Sequence, residues 1–126
     1  MPGRILIVDD YPKAAEILKR WLKRSGNEIK TATDGLQALR TAEEFLPDVI
    51  LLDIDIPKLS GFEVAYRIRQ QPWGRNMIVI GLTGWPALEE RERGENACFD
   101  ALLLKPVTYA QLSELLTDFF PRNKEH

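Results

Sequence analysis

The chain has 126 residues and a net charge of −2, with 44% hydrophobic and 29% charged positions. That suits one domain of ordinary size, able to bury roughly two-thirds of its unfolded surface. Basic and acidic residues are mixed, with no basic stripe of the kind nucleic acid requires, and a lone Cys98 beside a lone His126 excludes an internal disulfide and a Cys/His zinc site.

The first apolar run, Ile5–Val8, is too short for a signal-peptide core or a membrane span, and it ends in Asp9-Asp10. A soluble, cytoplasmic protein without membrane contact is therefore expected. Ala14, Ile17, Leu18, Trp21 and Leu22 then recur at helical spacing, with Gly26 as a stop. A weaker strand is expected over Glu28–Ala32. Asp34-Gly35 opens a second helix with Leu36, Leu39 and Phe45 on its apolar side.

The stretch PDVILLDIDIPKLSG, Pro47 to Gly61, holds a continuously apolar strand, Val49–Leu52, that breaks into Asp53-Ile54-Asp55 and a turn rich in Pro57, Ser60 and Gly61. Ser60 and Glu63 have the form of a capping box for a helix burying Phe62, Ala65 and Ile68. A fourth strand is expected over Met77–Leu82. The following segment, PALEERERGENACFD, has Leu88 and little else apolar, with Gly94 inside it, and predicts a short, loosely held helix. Leu102–Leu104 form the fifth strand. Thr108 and Gln111 then cap a helix carrying Leu112, Leu115, Leu116, Phe119 and Phe120. Five alternations of strand and helix predict an α/β sandwich around a parallel sheet.

In such a sheet ligands bind beyond the carboxyl ends of the strands. Strand one ends in Asp9-Asp10, strand three in Asp53, strand four in Thr83-Gly84 and strand five in Lys105-Pro106. Strand two ends in Thr33-Asp34, which carries nothing comparable. Each residue alone has a plain structural role, as a cap, a turn residue or a solvated lysine. Together they bring three carboxylates, a hydroxyl and an ammonium to one edge. Clustered carboxylates repel unless a cation neutralises them. Mg²⁺ fits, held by Asp9 or Asp10 with Asp53, because it takes oxygen ligands and keeps open positions for a phosphoryl oxygen. Lys105 and Thr83 supply a charge and a donor, and Asp53 is the expected nucleophile, forming an aspartyl phosphate.

The blocks RILIVDD, PDVILLDIDIPKLSGFEV, VIGLTG and FDALLLKPV resemble the receiver domain of two-component response regulators, in order and spacing, from Arg4 to about Phe119. The resemblance implies a single domain over residues 1–126, with 121–126 a polar tail. It also implies a flavodoxin-like three-layer sandwich, with a five-stranded parallel sheet in order 2-1-3-4-5 and five helices. Asp53 would accept phosphate from a phosphohistidine on a sensor histidine kinase or phosphotransfer protein. Asp9 and Asp10 would bind Mg²⁺, completed by the backbone carbonyl of Asp55, while Thr83 and Lys105 meet the phosphoryl group. The bond before Pro106 is expected to be cis. Self-catalysed transfer and slow autodephosphorylation do not make such a domain an enzyme in the ordinary sense.

Two positions depart from the family pattern. Leu102 stands where an aromatic switch residue is usual, and Cys98 replaces a turn glycine. Both bear on the face of the fourth helix, fifth strand and fifth helix, where relatives dimerise or dock a downstream protein partner. Tyr11 and Trp85 are expected to flank the pocket. The ending resembles receivers attached to hybrid sensor kinases, so a stand-alone receiver and a segment of a larger kinase both fit. The alternatives are a constitutive interaction module of the same fold, without switching, and a small aspartate-nucleophile phosphatase. The latter is disfavoured because DIDIP sits on the third strand, with Pro57 at the position of a Thr or Val.

Overall fold

The computed structural model describes residues 3–84 and 98–119. Five strands form one parallel sheet in the order β2-β1-β3-β4-β5: β1 Arg4–Val8, β2 Glu28–Ala32, β3 Val49–Asp53, β4 Ile78–Thr83 and β5 Ala101–Leu104. The described helices are α1 Pro12–Arg24, α2 Gly35–Phe45, α3 Gly61–Arg69 and the C-terminal α4, Tyr109–Phe119, with a 3₁₀ turn at Pro72–Gly74. The helix expected after the fourth strand falls mostly on residues outside those described, as do Trp85, Phe120 and the tail 121–126.

Because side chains alternate across a strand, each central strand feeds two cores. Leu6, Val8, Ile50, Leu52 and Val79 pack against Ala38, Ala42, Val64, Ala65 and Ile68 of α2 and α3. On the other face Ile5, Ile7, Val49, Leu51, Ile80 and Leu82 meet Ala15, Leu18 and Leu22 of α1 and Leu112 of α4. In-register pairing of β1 with β3 and of β3 with β4 aligns the carboxyl ends of the strands. Just past those ends the Asp9 amide donates to the Ala32 carbonyl, Ile54 to Leu82 and Lys105 to Thr83. The residues that leave the sheet are therefore still tied to it.

Two helices are rotated from the expected facing. In α1 the stripe against the sheet is Ala15, Leu18 and Leu22, and Ile17 is 47% exposed. The apolar arc of Ala14, Ile17 and Trp21 is wider than the sheet covers, and its outer edge is left at the surface. In α2 the buried stripe is Gly35, Ala38, Ala42 and Phe45, with Leu36 exposed. Small residues there let the helix sit close to the strands. The caps are largely as expected: Thr108 and Gln111 cap reciprocally, and Gly26 closes α1 at a positive φ of 87°. Ser60 accepts from the Glu63 amide, but the Glu63 side chain reaches forward to Arg67 instead of back.

A node absent from the sequence reading ties α3 to the start of β5. The Arg69 guanidinium donates to the carbonyls of Cys98, Gly74, Arg75 and Met77 and to the Asp100 carboxylate at 2.9 Å. Asp100 also accepts from the Val79 amide. With the Arg69 side chain only 18% exposed, Arg69→Ala strands several partly buried acceptors. It is expected to lower stability by about 2–3 kcal/mol, read as a shifted urea midpoint with an unchanged slope.

Candidate functional site

Asp9, Asp53 and Thr83 are the buried polar residues at the carboxyl edge of the sheet, each no more than 5% exposed. Asp53 closes β3, and its position is set by the chain that follows. Its Oδ1 accepts from the Asp55 amide at 3.1 Å. The start of α3 folds back over it, with the Gly61 amide donating to the Ile54 carbonyl at 2.7 Å. A Cβ on Gly61 would lie 2.6 Å from the Ile54 Cα, so only glycine permits this approach. Asp9 is oriented in the same way, its Oδ1 accepting from the Tyr11 amide at 2.9 Å.

Lys105 crosses from β5 to these carboxylates. Its Nζ donates to Asp53 Oδ2 at 2.8 Å and stands 3.7 Å from Asp9 Oδ2. The bond between Lys105 and Pro106 is cis, as expected. Asp10 is exposed, yet it shares a cluster with Asp9 and Asp53 in which one oxygen of each lies within 4.8 Å of the others. Among the described residues, none donates a hydrogen bond to the buried Asp9 Oδ2. Three carboxylates against one ammonium leave excess negative charge, and a buried acceptor without a donor is costly. The donor set is all oxygen. It suits a hard divalent cation better than a transition metal that prefers nitrogen or sulfur.

Burial raises the Asp53 carboxyl above its usual range, the nearby Asp9 charge adds to the rise, and Lys105 and the Asp55 amide work against it. Burial opposes the Lys105 charge, but the Asp53 hydrogen bond and the carboxylates of Asp53, Asp9 and Asp10 outweigh it and raise the lysine.

Of the other expected residues, Tyr11 is 59% exposed just before α1, and Asp55 is exposed beyond Asp53. Asp34 caps α2 by accepting from the Gln37 amide and pairs with Lys58, a structural role that accounts for the end of strand two. Leu102 is half-buried, packed with Phe99 against Ile54 and Phe62. It lies opposite Gly81 on β4. A Cβ at Gly81 would run into the Leu102 side chain.

The response regulator receiver domain model matches residues 5–117. The chain belongs to that family. The sensor histidine kinase RcsC of Escherichia coli K12 is 36% identical over 118 residues, covering 94% of this chain and 12% of RcsC. The chain thus spans about an eighth of that relative. Among solved structures, the receiver domain of the Pseudomonas aeruginosa sensor histidine kinase PA1611, with a magnesium ion in its active-site cleft, superposes with a TM-score of 0.85. It is 32% identical over 96% of this chain and 99% of its own. The Thermotoga maritima response regulator TrrA, in complex with Mg²⁺ and BeF, is 34% identical with a TM-score of 0.82, covering 91% and 96%. As a receiver domain the chain is a member of the two-component signalling proteins, and no described helix is long and apolar enough to cross a membrane.

The raised Asp53 carboxyl has a consequence for stability. Between its unfolded value of 3.8 and the higher folded one, the folded chain holds more protons, so this group's contribution falls as pH rises. Asp53→Asn removes it. The variant, free of metal, should melt above the parent at neutral pH. Thermal melts across pH should show the gain shrinking as pH falls toward the unfolded value.

Proposed function

We propose that the chain is a phosphorylation-dependent signalling switch whose acceptor is Asp53, charged by a sensor histidine kinase or a histidine-bearing phosphotransfer protein. The observation that carries this is the Lys105–Asp53 contact at 2.8 Å beside an Asp9 oxygen without a donor. The nucleophile is buried and oriented, and the charges of an incoming phosphoryl group have partners waiting.

Asp9, Asp10 and Asp53, with the backbone carbonyl of Asp55, would hold Mg²⁺. The ion would neutralise carboxylate repulsion and draw charge from the phosphoryl oxygens. The chain's own groups do the rest. The Asp55 amide holds Oδ1 of Asp53, which fixes the direction of the other oxygen. Lys105 exchanges its carboxylate partner for a phosphoryl oxygen, and the Thr83 hydroxyl, at the end of β4, donates to another. No general base is needed, because an ionised carboxylate attacks without losing a proton. The product adds roughly two negative charges, and β5 senses them through Lys105. Downstream contacts, with a protein partner or a second copy, would then use the face around β5. The chain would act as a single-use acceptor with slow self-hydrolysis, not as a turnover catalyst.

Intact mass after incubation with Mg²⁺ and acetyl phosphate should show one added phosphoryl group in the parent and none in Asp53→Asn. Many turnovers of phosphomonoester per site would instead mark a phosphatase. Metal binding supplies a separate check, since protons compete for ligand carboxylates. Mg²⁺ affinity measured by calorimetry should fall as pH drops through the raised Asp53 value. In Asp53→Asn binding should be weaker and that pH slope shallower.

A further inference from the structure

The outward face of α2 is apolar at both ends and oppositely charged in between. Leu36, Arg40 and Glu43 fall at i, i+4 and i+7 and so share that face, and Leu46 follows at the C-cap. Leu36 is 46% exposed and Leu46 47%, and neither belongs to the two cores that flank the sheet. Leu46 is held in left-handed backbone, at φ 51° and ψ 63°, where glycine or asparagine is the easier choice. A leucine there costs backbone energy and returns nothing to either core. Between the leucines, the side chains of Arg40 and Glu43 have no hydrogen-bond or ion-pair partner among the described residues. On neighbouring α3 the charges are used internally, Arg67 pairing with Glu63 at 2.9 Å. A cleft of about 460 Å³ opens beside the stripe toward α3, with Trp73 in its wall, and leaves room for side chains from outside.

We propose that α2 is the contact of a weak homodimer, pairing antiparallel with α2 of a second copy about a twofold axis. An axis perpendicular to the helix, between Arg40 and Glu43, brings Arg40 to the partner's Glu43 and Leu36 to the partner's Leu46. Each contact occurs twice, as an isologous interface requires. The exposed Glu44 gives the Arg40 guanidinium of the facing copy a second carboxylate in reach. Parallel pairing would set like charges together. The order apolar, positive, negative, apolar becomes its own complement when reversed, and that selects a second copy over an unrelated protein. α2 packs over β1 and β2, at the far side of the sheet from β5, so this dimer leaves β5 free for other contacts. With 11 residues α2 is about 16 Å long. So short a contact belongs to the weak, reversible class. The inference does not depend on the acceptor role of Asp53.

Sedimentation velocity of the full chain at low salt tests it, from roughly ten micromolar to one millimolar. The sedimentation coefficient of the parent should rise with concentration, and added salt should reduce that rise. Arg40→Glu or Glu43→Arg alone sets like charges opposite each other and should weaken association by roughly tenfold, while the double reversal should restore it. Leu46→Gly relieves the left-handed cap, so its thermal melt should equal or exceed the parent's, yet its association should weaken by roughly tenfold. A parent that stays monomeric throughout the range would overturn the proposal. So would self-association indifferent to Leu46→Gly, or a double reversal that fails to recover what the single ones lose.

Discussion

Three carboxylates and one ammonium, held together at the end of a buried sheet, set the conditions for the rest of the molecule. Two of the acids, Asp9 and Asp53, are almost fully out of water. Among the described residues Lys105 alone faces them and cannot balance them, and the imbalance persists because the sheet leaves the side chains no way to separate. Asp9 and Asp53 project from adjacent strands whose register is fixed over four residue pairs. Relief must come from a cation, from a proton or from chemistry at the carboxylate, and the metal-free protein is kept close to that choice.

The scaffold around this edge is built for stiffness. Both faces of the central strands are packed, and the first residue beyond each of β1, β3 and β5 still bonds to a neighbouring strand. Gly61 presses the start of α3 onto the Asp53–Ile54 backbone, leaving Asp53 little freedom to turn away. Arg69 does comparable work at the other end of α3, collecting carbonyls from the 3₁₀ turn and from the approach to β5. Asp53 is thus linked to β5 through bonded, packed elements.

Much of this was legible in the sequence, for physical reasons that can be named. Short unbroken apolar runs such as Val49–Leu52, bounded by turn residues, suit strands buried on both faces, and a parallel sheet gathers whatever follows them. That is why Asp9, Asp53, Thr83 and Lys105 could be grouped before any coordinates. Helix facing was less legible. Ile17 and Leu36 fit an apolar period but lost the sheet to Ala15 and Ala38, because close packing against strands rewards small side chains. Arg69 was missed because its partners are mostly backbone carbonyls, which carry no sequence signal. Its one legible partner, Asp100, lies 31 residues away.

Leu102, where the family resemblance leads one to expect a ring, lies opposite Gly81 and is packed beside Ile54, the residue next to Asp53. The two positions behave as one volume divided between neighbouring strands. Any side chain gained at 81 must displace what 102 already occupies, and Phe99 with it. Evolutionary routes through this pair are consequently ordered: residue 102 has to shrink or turn outward before residue 81 can grow, and the reverse order passes through an overpacked intermediate.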